Sequence, residues 1–188
     1  MEQKHQYHID LQRTLIKDGP HFLSHKLHVK EHVAYLKPTI SAIIFCAIYI
    51  VVGVSLLVLG STVYWNSGQL DLSVFIIGFG VAISTFGATL IKPFLKKASF
   101  DKGSDFFNNG RDRDVDLRNI LSLQINNKLV VRGQGLHYAC FELNMLTKNG
   151  CRINVLNHSD SQQLLIDASL LGEFLQVKVN DLRRELRA

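Results

Sequence analysis

The sequence predicts a membrane protein made of a two-helix transmembrane hairpin and a small α+β cytosolic domain, in which antiparallel strands are closed by a C-terminal helix. Three observations predict it: two uncharged apolar runs at 39–64 and 72–91, apolar–polar alternation in short stretches beyond residue 97, and a change to helical spacing over 161–175. With 188 residues, 47% of them hydrophobic and 20% charged, the chain has room for one modest domain beside the apolar segment. The expected division is an N-terminal cytoplasmic segment at 1–37, the hairpin at 38–95 and the cytosolic domain at 96–188. Three cysteines, Cys46, Cys140 and Cys151, are too few and too scattered for a disulfide framework or a metal cluster.

In the N-terminal segment, Asp18-Gly19-Pro20 reads as a helix start, with a capping carboxylate and Pro in the first turn, and predicts a juxtamembrane helix over 20–36. His21, His25, His28 and His32 recur at spacings of 4, 3 and 4, which on a helix places all four in one stripe about 60° wide. Such a stripe is the one candidate for metal binding or pH sensing, because His pairs a turn apart chelate divalent ions and His titrates near neutrality. No Cys, Asp or Glu completes a ligand set on it, so the expectation is a polar interfacial stripe and no metal.

The run at 39–64 contains no Asp, Glu, Lys, Arg or His, and roughly 20 apolar residues rising 1.5 Å each suffice to cross about 30 Å of hydrocarbon. It is too long, and too far from the start, for a cleaved signal sequence. The run at 72–91 is long enough too and is closed by Lys92-Pro93. Six cations precede the first run and four lie within 92–102, while the loop 65–71 has none, so both termini are expected on the cytoplasmic side. Small residues recur every seven positions, Cys46, Gly53 and Gly60 in the first run and Ser73, Gly80 and Gly87 in the second, which predicts a close helix-packing seam. Neither run holds an Asp, Glu, Lys, Arg or His, which argues against an ion pathway or transporter core.

Beyond residue 97, stretches 98–102 and 121–125 read as strands. Phe141, Leu143 and Met145 alternate with Glu142 and Asn144, and after Asn149-Gly150, a strong hairpin signal, Ile153 and Val155 alternate with Arg152 and Asn154. Ser159-Asp160-Ser161 opens an amphipathic helix at 161–175. The region from about residue 97 to the C-terminus is expected to fold alone. Candidate lipid-facing cations are Lys92, Lys96, Lys97, Arg183, Arg184 and Arg187, with Arg111, Arg113, Arg118, Lys128 and Arg132 on the domain itself. Asp112, Asp114 and Asp116 lack the Gly and Glu of a calcium loop and interleave with arginines, so a self-paired loop is expected. No P-loop, GxSxG or CxxC is present, and His158 has no paired nucleophile in the sequence, so no catalytic residue is assigned.

The words Ile120-Leu121-Ser122-Leu123-Gln124-Ile125, Phe141-Glu142-Leu143-Asn144 and Asn149-Gly150-Cys151-Arg152-Ile153-Asn154-Val155 with His158, followed by Asp167-Ala168 and Gly172-Glu173-Phe174-Leu175, carry a resemblance. Over roughly 98–181 the chain resembles an uncharacterised family of bacterial two-span membrane proteins with a cytosolic pleckstrin-homology-like (PH-like) domain. It ends Val177-Lys178-Val179-Asn180-Asp181 where the family has Val-Pro-Val-Trp-Asp. The resemblance implies a scaffold-type module in a bacterial inner membrane and no catalytic residue.

The expected function is that of a non-enzymatic inner-membrane protein whose cytosolic domain binds a partner protein or inner-leaflet lipid. No cofactor and no nucleic acid are expected, and a homo-oligomer is left open. The alternatives are a membrane immunity or accessory protein against a pore-forming toxin, and a His-dependent metal or pH sensor.

Overall fold

Leu27 on one side of Glu31-His32, and Ala34 and Leu36 on the other, are buried at the alternating positions of two strands, β1 (His25–Lys30) and β2 (Val33–Pro38). The helix expected over 20–36 is therefore absent. Its apolar positions fit a 3.6-residue period only if Leu27 and Ala34 are ignored, and the β-branched content with a two-residue reversal at Glu31 (φ +31°) favours a hairpin. The structure, a computed structural model, describes residues 14–21, 23–95, 98–109, 114–132 and 136–183.

After β2 come two long helices, α1 (Ile40–Ser67) and α2 (Leu70–Leu95). Thr39 caps α1 by accepting from Ala42 N at 3.3 Å, and Gly68 (φ +65°) closes it by donating to Tyr64 O at 2.9 Å. The turn is thus Gly68-Gln69, shorter than the expected loop at 65–71, because α1 continues through Tyr64 and Trp65 and α2 begins at Leu70.

The chain then returns to the sheet it left. Strands β3 (Ser99–Asp101), β4 (Phe106–Asn108) and β5 (Asp114–Asp116) extend β1 and β2 into a five-stranded sheet ordered β1-β2-β3-β4-β5. Its register aligns Ala34, Phe100, Phe107 and Val115 as cross-strand neighbours, with the two Phe rings 4.4 Å apart. The N-terminal segment is accordingly not a separate region: the described residues of 1–37 and 97–188 form one compact unit, and those of 38–96 form the other.

A 3₁₀ turn at Leu117–Asn119 leads to the second sheet, with β6 (Ile120–Arg132), β7 (Leu136–Thr147), β8 (Arg152–His158) and β9 (Lys178–Asp181) in the order β8-β7-β6-β9. Asn149-Gly150 forms the β7–β8 turn, Gly150 taking φ +78°. Strand β9 runs parallel to β6, so this sheet is not wholly antiparallel; the preceding helix α3 (Ser161–Leu175) is the crossover that a parallel partner requires. Asp160 caps α3 by accepting from Gln162 N and Gln163 N. Leu164, Ala168, Leu171 and Phe174 of α3, Leu123, Ile125, Leu143 and Met145 of the second sheet, and Leu27, Leu36, Phe100 and Phe107 of the first make one core.

Candidate functional site

In the helical unit, Cys46, Gly53 and Gly60 of α1 and Ser73, Gly80 and Gly87 of α2 are all buried. At Gly53 an added β-carbon would stand 2.6 Å from Ser84 N and 2.8 Å from Gly80 O, and at Gly80 it would stand 2.8 Å from Gly53 O. Two backbones approach this closely only across glycine, so dispersion between main chains, with no buried charge, holds the pair.

The other concentration of chemistry is on the β6–β7–β8 face turned away from the core. Period-two alternation puts Gln124, Asn126 and Lys128 of β6 and Glu142 and Asn144 of β7 on that face, with Asn126 opposite Glu142 and Gln124 opposite Asn144. Such a face ordinarily meets water, yet Glu142 and Asn144 are 0% exposed and Lys128 is buried. A buried carboxylate needs partners, and Glu142 has them: Lys128 Nζ at 3.5 Å, Arg152 Nη2 at 3.8 Å and Asn144 Nδ2 donating at 2.8 Å. Amide donors pass from Asn157 to Asn154 and on to Asn144, each step at 3.0 Å, and the relay ends on the carboxylate.

What covers this cluster is the segment 14–20, an irregular strap ahead of β1. Leu15 N and Ile16 N donate to the Glu142 carboxylate at 2.9 and 3.5 Å. Lys128 Nζ donates to Ile16 O and Asp18 O at 2.7 Å each, and Tyr138 OH to Gly19 O at 2.6 Å. Asp18-Gly19 is thus a docking point on the sheet and not a helix cap; a β-carbon at Gly19 would lie against Cys140 Sγ, and burial pushes that thiol's pKa up. Every one of these strap contacts is to the main chain.

A second buried pair ties three elements together. His158 Nε2 on β8 lies 3.1 Å from Asp167 Oδ2 on α3, and the same carboxylate accepts from Leu27 N of β1 at 3.3 Å and from Gln163 Nε2 at 2.8 Å. Asp167 is therefore the clamp among strand, helix and N-terminal hairpin, and His158 is its partner on the strand.

The four-histidine stripe does not exist, because a strand sends His25 and His28 to opposite faces. His21 packs on Tyr138 at 4.7 Å, His28 stacks on Tyr35 at 5.9 Å, His32 lies in the β1–β2 turn, and His25 is half-buried, its pKa lowered by burial and then by His158. Among the described residues no group of three or more His, Cys, Asp or Glu is placed to hold a metal ion. Of the proposed lipid-facing cations, Lys92 is exposed near the end of α2, Arg183 is paired with Asp181 at 2.5 Å, and Lys96, Lys97, Arg184 and Arg187 lie outside the described residues. On the domain, Lys128 is committed to Glu142 and the strap, Arg118 is paired with Asp105 and Asp116, and Arg111, Arg113 and Asp112 lie outside the described residues.

Sequence reasoning missed the polar cluster. Its signal was the gathering of amides around one carboxylate on a supposedly wet face: Gln124, Asn126, Asn144, Asn154 and Asn157 share the outward positions nearest Glu142, with Lys128 and Arg152 as the cations beside it. Glu142→Gln should lower stability by about 3–5 kcal/mol, since it leaves Lys128 and Arg152 as buried cations without their anion. In mild detergent that amounts to a melting temperature about 6–20 °C lower; a shift under about 2 °C would show that the cluster is solvated.

No protein-family model matches the chain, and a search of curated proteins returns no match.

Proposed function

We propose that this chain is a two-span bacterial inner-membrane protein whose β-rich unit is a non-enzymatic, PH-like binding module on the cytosolic side, and that a partner protein is its ligand. The observation that carries the reading is the insertion of two uncovered apolar helices between β2 and β3. Both helices are long and apolar enough to cross a membrane, and their most apolar windows are only 17% and 11% buried. Lipid is the solvent that such a surface requires. Because β2 and β3 pair in one sheet, both ends of the hairpin must emerge on one side, and cations at both ends favour the cytosol.

Two sheets with a C-terminal helix packed against the core support the PH-like layout. A protein ligand is favoured over an anionic headgroup because Lys128, Arg118 and Arg183 already serve carboxylates. The non-enzymatic reading is supported by the buried ionisable groups, Glu142, Lys128, His158 and Asp167, each spent on joining elements of the fold.

A reporter active only in the periplasm is expected to be silent when fused after Ala188 and active when inserted between Ser67 and Gly68; the reverse pattern would refute the orientation. Full-length protein in nanodiscs of neutral lipid should not recruit vesicles of anionic lipid. Salt-sensitive recruitment would replace the protein ligand by a lipid one.

A further inference from the structure

We propose that the β6–β8 face is a receptor for extended polypeptide main chain and that its occupant is exchangeable: the strap at 14–19 of one copy can seat on the face of a second copy. The strap is held by five side-chain contacts, from Glu142, Lys128 and Tyr138, and all of them reach N–H or C=O groups. Its two large apolar side chains are not the anchor, since Leu15 is 43% and Ile16 40% exposed. An identical strap from a neighbour makes the same bonds, so exchange changes the connectivity of the contacts without changing their number.

Two further features favour exchange over permanent docking in place. A departing strap leaves Glu142 and Lys128 without the main-chain partners that complete their hydrogen bonding until water or another strap supplies them, and a second strap restores every bond the first one gave. The connection from the strap to β1 is the short stretch 20–24, which holds no regular secondary structure among its described residues, and a short hinge of this kind is where elements swap. On the membrane reading, two copies confined to one bilayer also meet at a raised effective concentration.

The geometry provides its own probe. A β-carbon at Gly19 would lie 3.4 Å from that of Cys140, close to the roughly 3.5–4.5 Å spacing of a disulfide. Two tagged full-length copies would be co-expressed with Cys151→Ser in both, one carrying Gly19→Cys with Cys140→Ala and the other keeping Gly19 and Cys140. Membranes would be oxidised with copper phenanthroline. Exchange predicts a disulfide between the two tags, and the crosslink should be lost when the acceptor thiol is moved off the face, with Cys140→Ala and Leu129→Cys in the second copy, Leu129 being exposed on the opposite side of β6. A single chain carrying Gly19→Cys and Cys140 controls for folding. If this chain closes its internal disulfide while the tagged pair stays uncrosslinked, the strap is permanently in place and the proposal is overturned. A crosslink that survives the move to Leu129→Cys reports collision and overturns it too, as does failure of both disulfides, which would remove the strap from the face.

Discussion

A chain in which residues 38–96 are replaced by a Gly-Ser linker of about four residues is expected to be a soluble, folded domain, whereas 97–188 alone is expected not to fold. The first expectation follows from Leu36 N donating to Ala98 O at 2.9 Å, which brings the two ends of the insertion side by side as neighbouring strands. The second follows from what the shorter piece lacks. Without β1 and β2 the core loses Leu27 and Leu36, each worth about 1.5–3 kcal/mol when fully buried, or about 3–6 kcal/mol together, against a total stability of about 5–15 kcal/mol. Strand β3, three residues long, becomes a bare edge, and Asp167 loses the Leu27 amide. Circular dichroism and amide dispersion in nuclear magnetic resonance would compare the two. Equal dispersion would mean that the N-terminal hairpin is dispensable.

Gly53→Leu is expected to separate α1 from α2. The β-carbon alone would meet Ser84 N and Gly80 O, which are backbone atoms and cannot rotate away, so the helices must part along the whole seam. Overpacking of this kind costs about 1–3 kcal/mol in soluble cores, and here it also removes close main-chain contacts at the neighbouring Gly60 and Gly80. Val54→Leu, one residue on and exposed, should be tolerated. Proteolysis and thermal aggregation in mild detergent would report the difference. Indistinguishable behaviour of the two variants would refute the close-packed seam.

What could be read without coordinates was set by local chemistry. Helix α3 has the bounds its periodicity predicts because Asp160 caps it and Gln176 ends it in the left-handed region, both near-neighbour effects. The Asn149-Gly150 turn is equally local. The N-terminal hairpin was misread because its partner, β3, lies some 60 residues later, across the whole helical insertion; His-Lys-Leu-His-Val-Lys has helical and strand readings until Phe100 is there to pack against Ala34. Strands β4 and β5 are three residues each, too short to show a period. The polar cluster escaped for a different reason: Glu142 and Asn144 were seen to alternate with Leu143 and Met145, but alternation names a second face without saying what covers it. The strap that does so is an irregular stretch with no pattern of its own.

The insertion of the helices into the first sheet also sets the order of events during synthesis. Residue 38 ends β2 and residue 99 begins β3, so about 60 residues must be made in between, which takes roughly 3–12 s at the usual 5–20 residues per second. Throughout that interval β1 and β2 are an isolated two-stranded hairpin, marginal in water, with an open edge that invites wrong pairing. The helical unit is therefore complete before the sheet can close. A ribosome that stalls within the second helix leaves a chain whose helical hairpin is half built and whose first two strands have no neighbour to find.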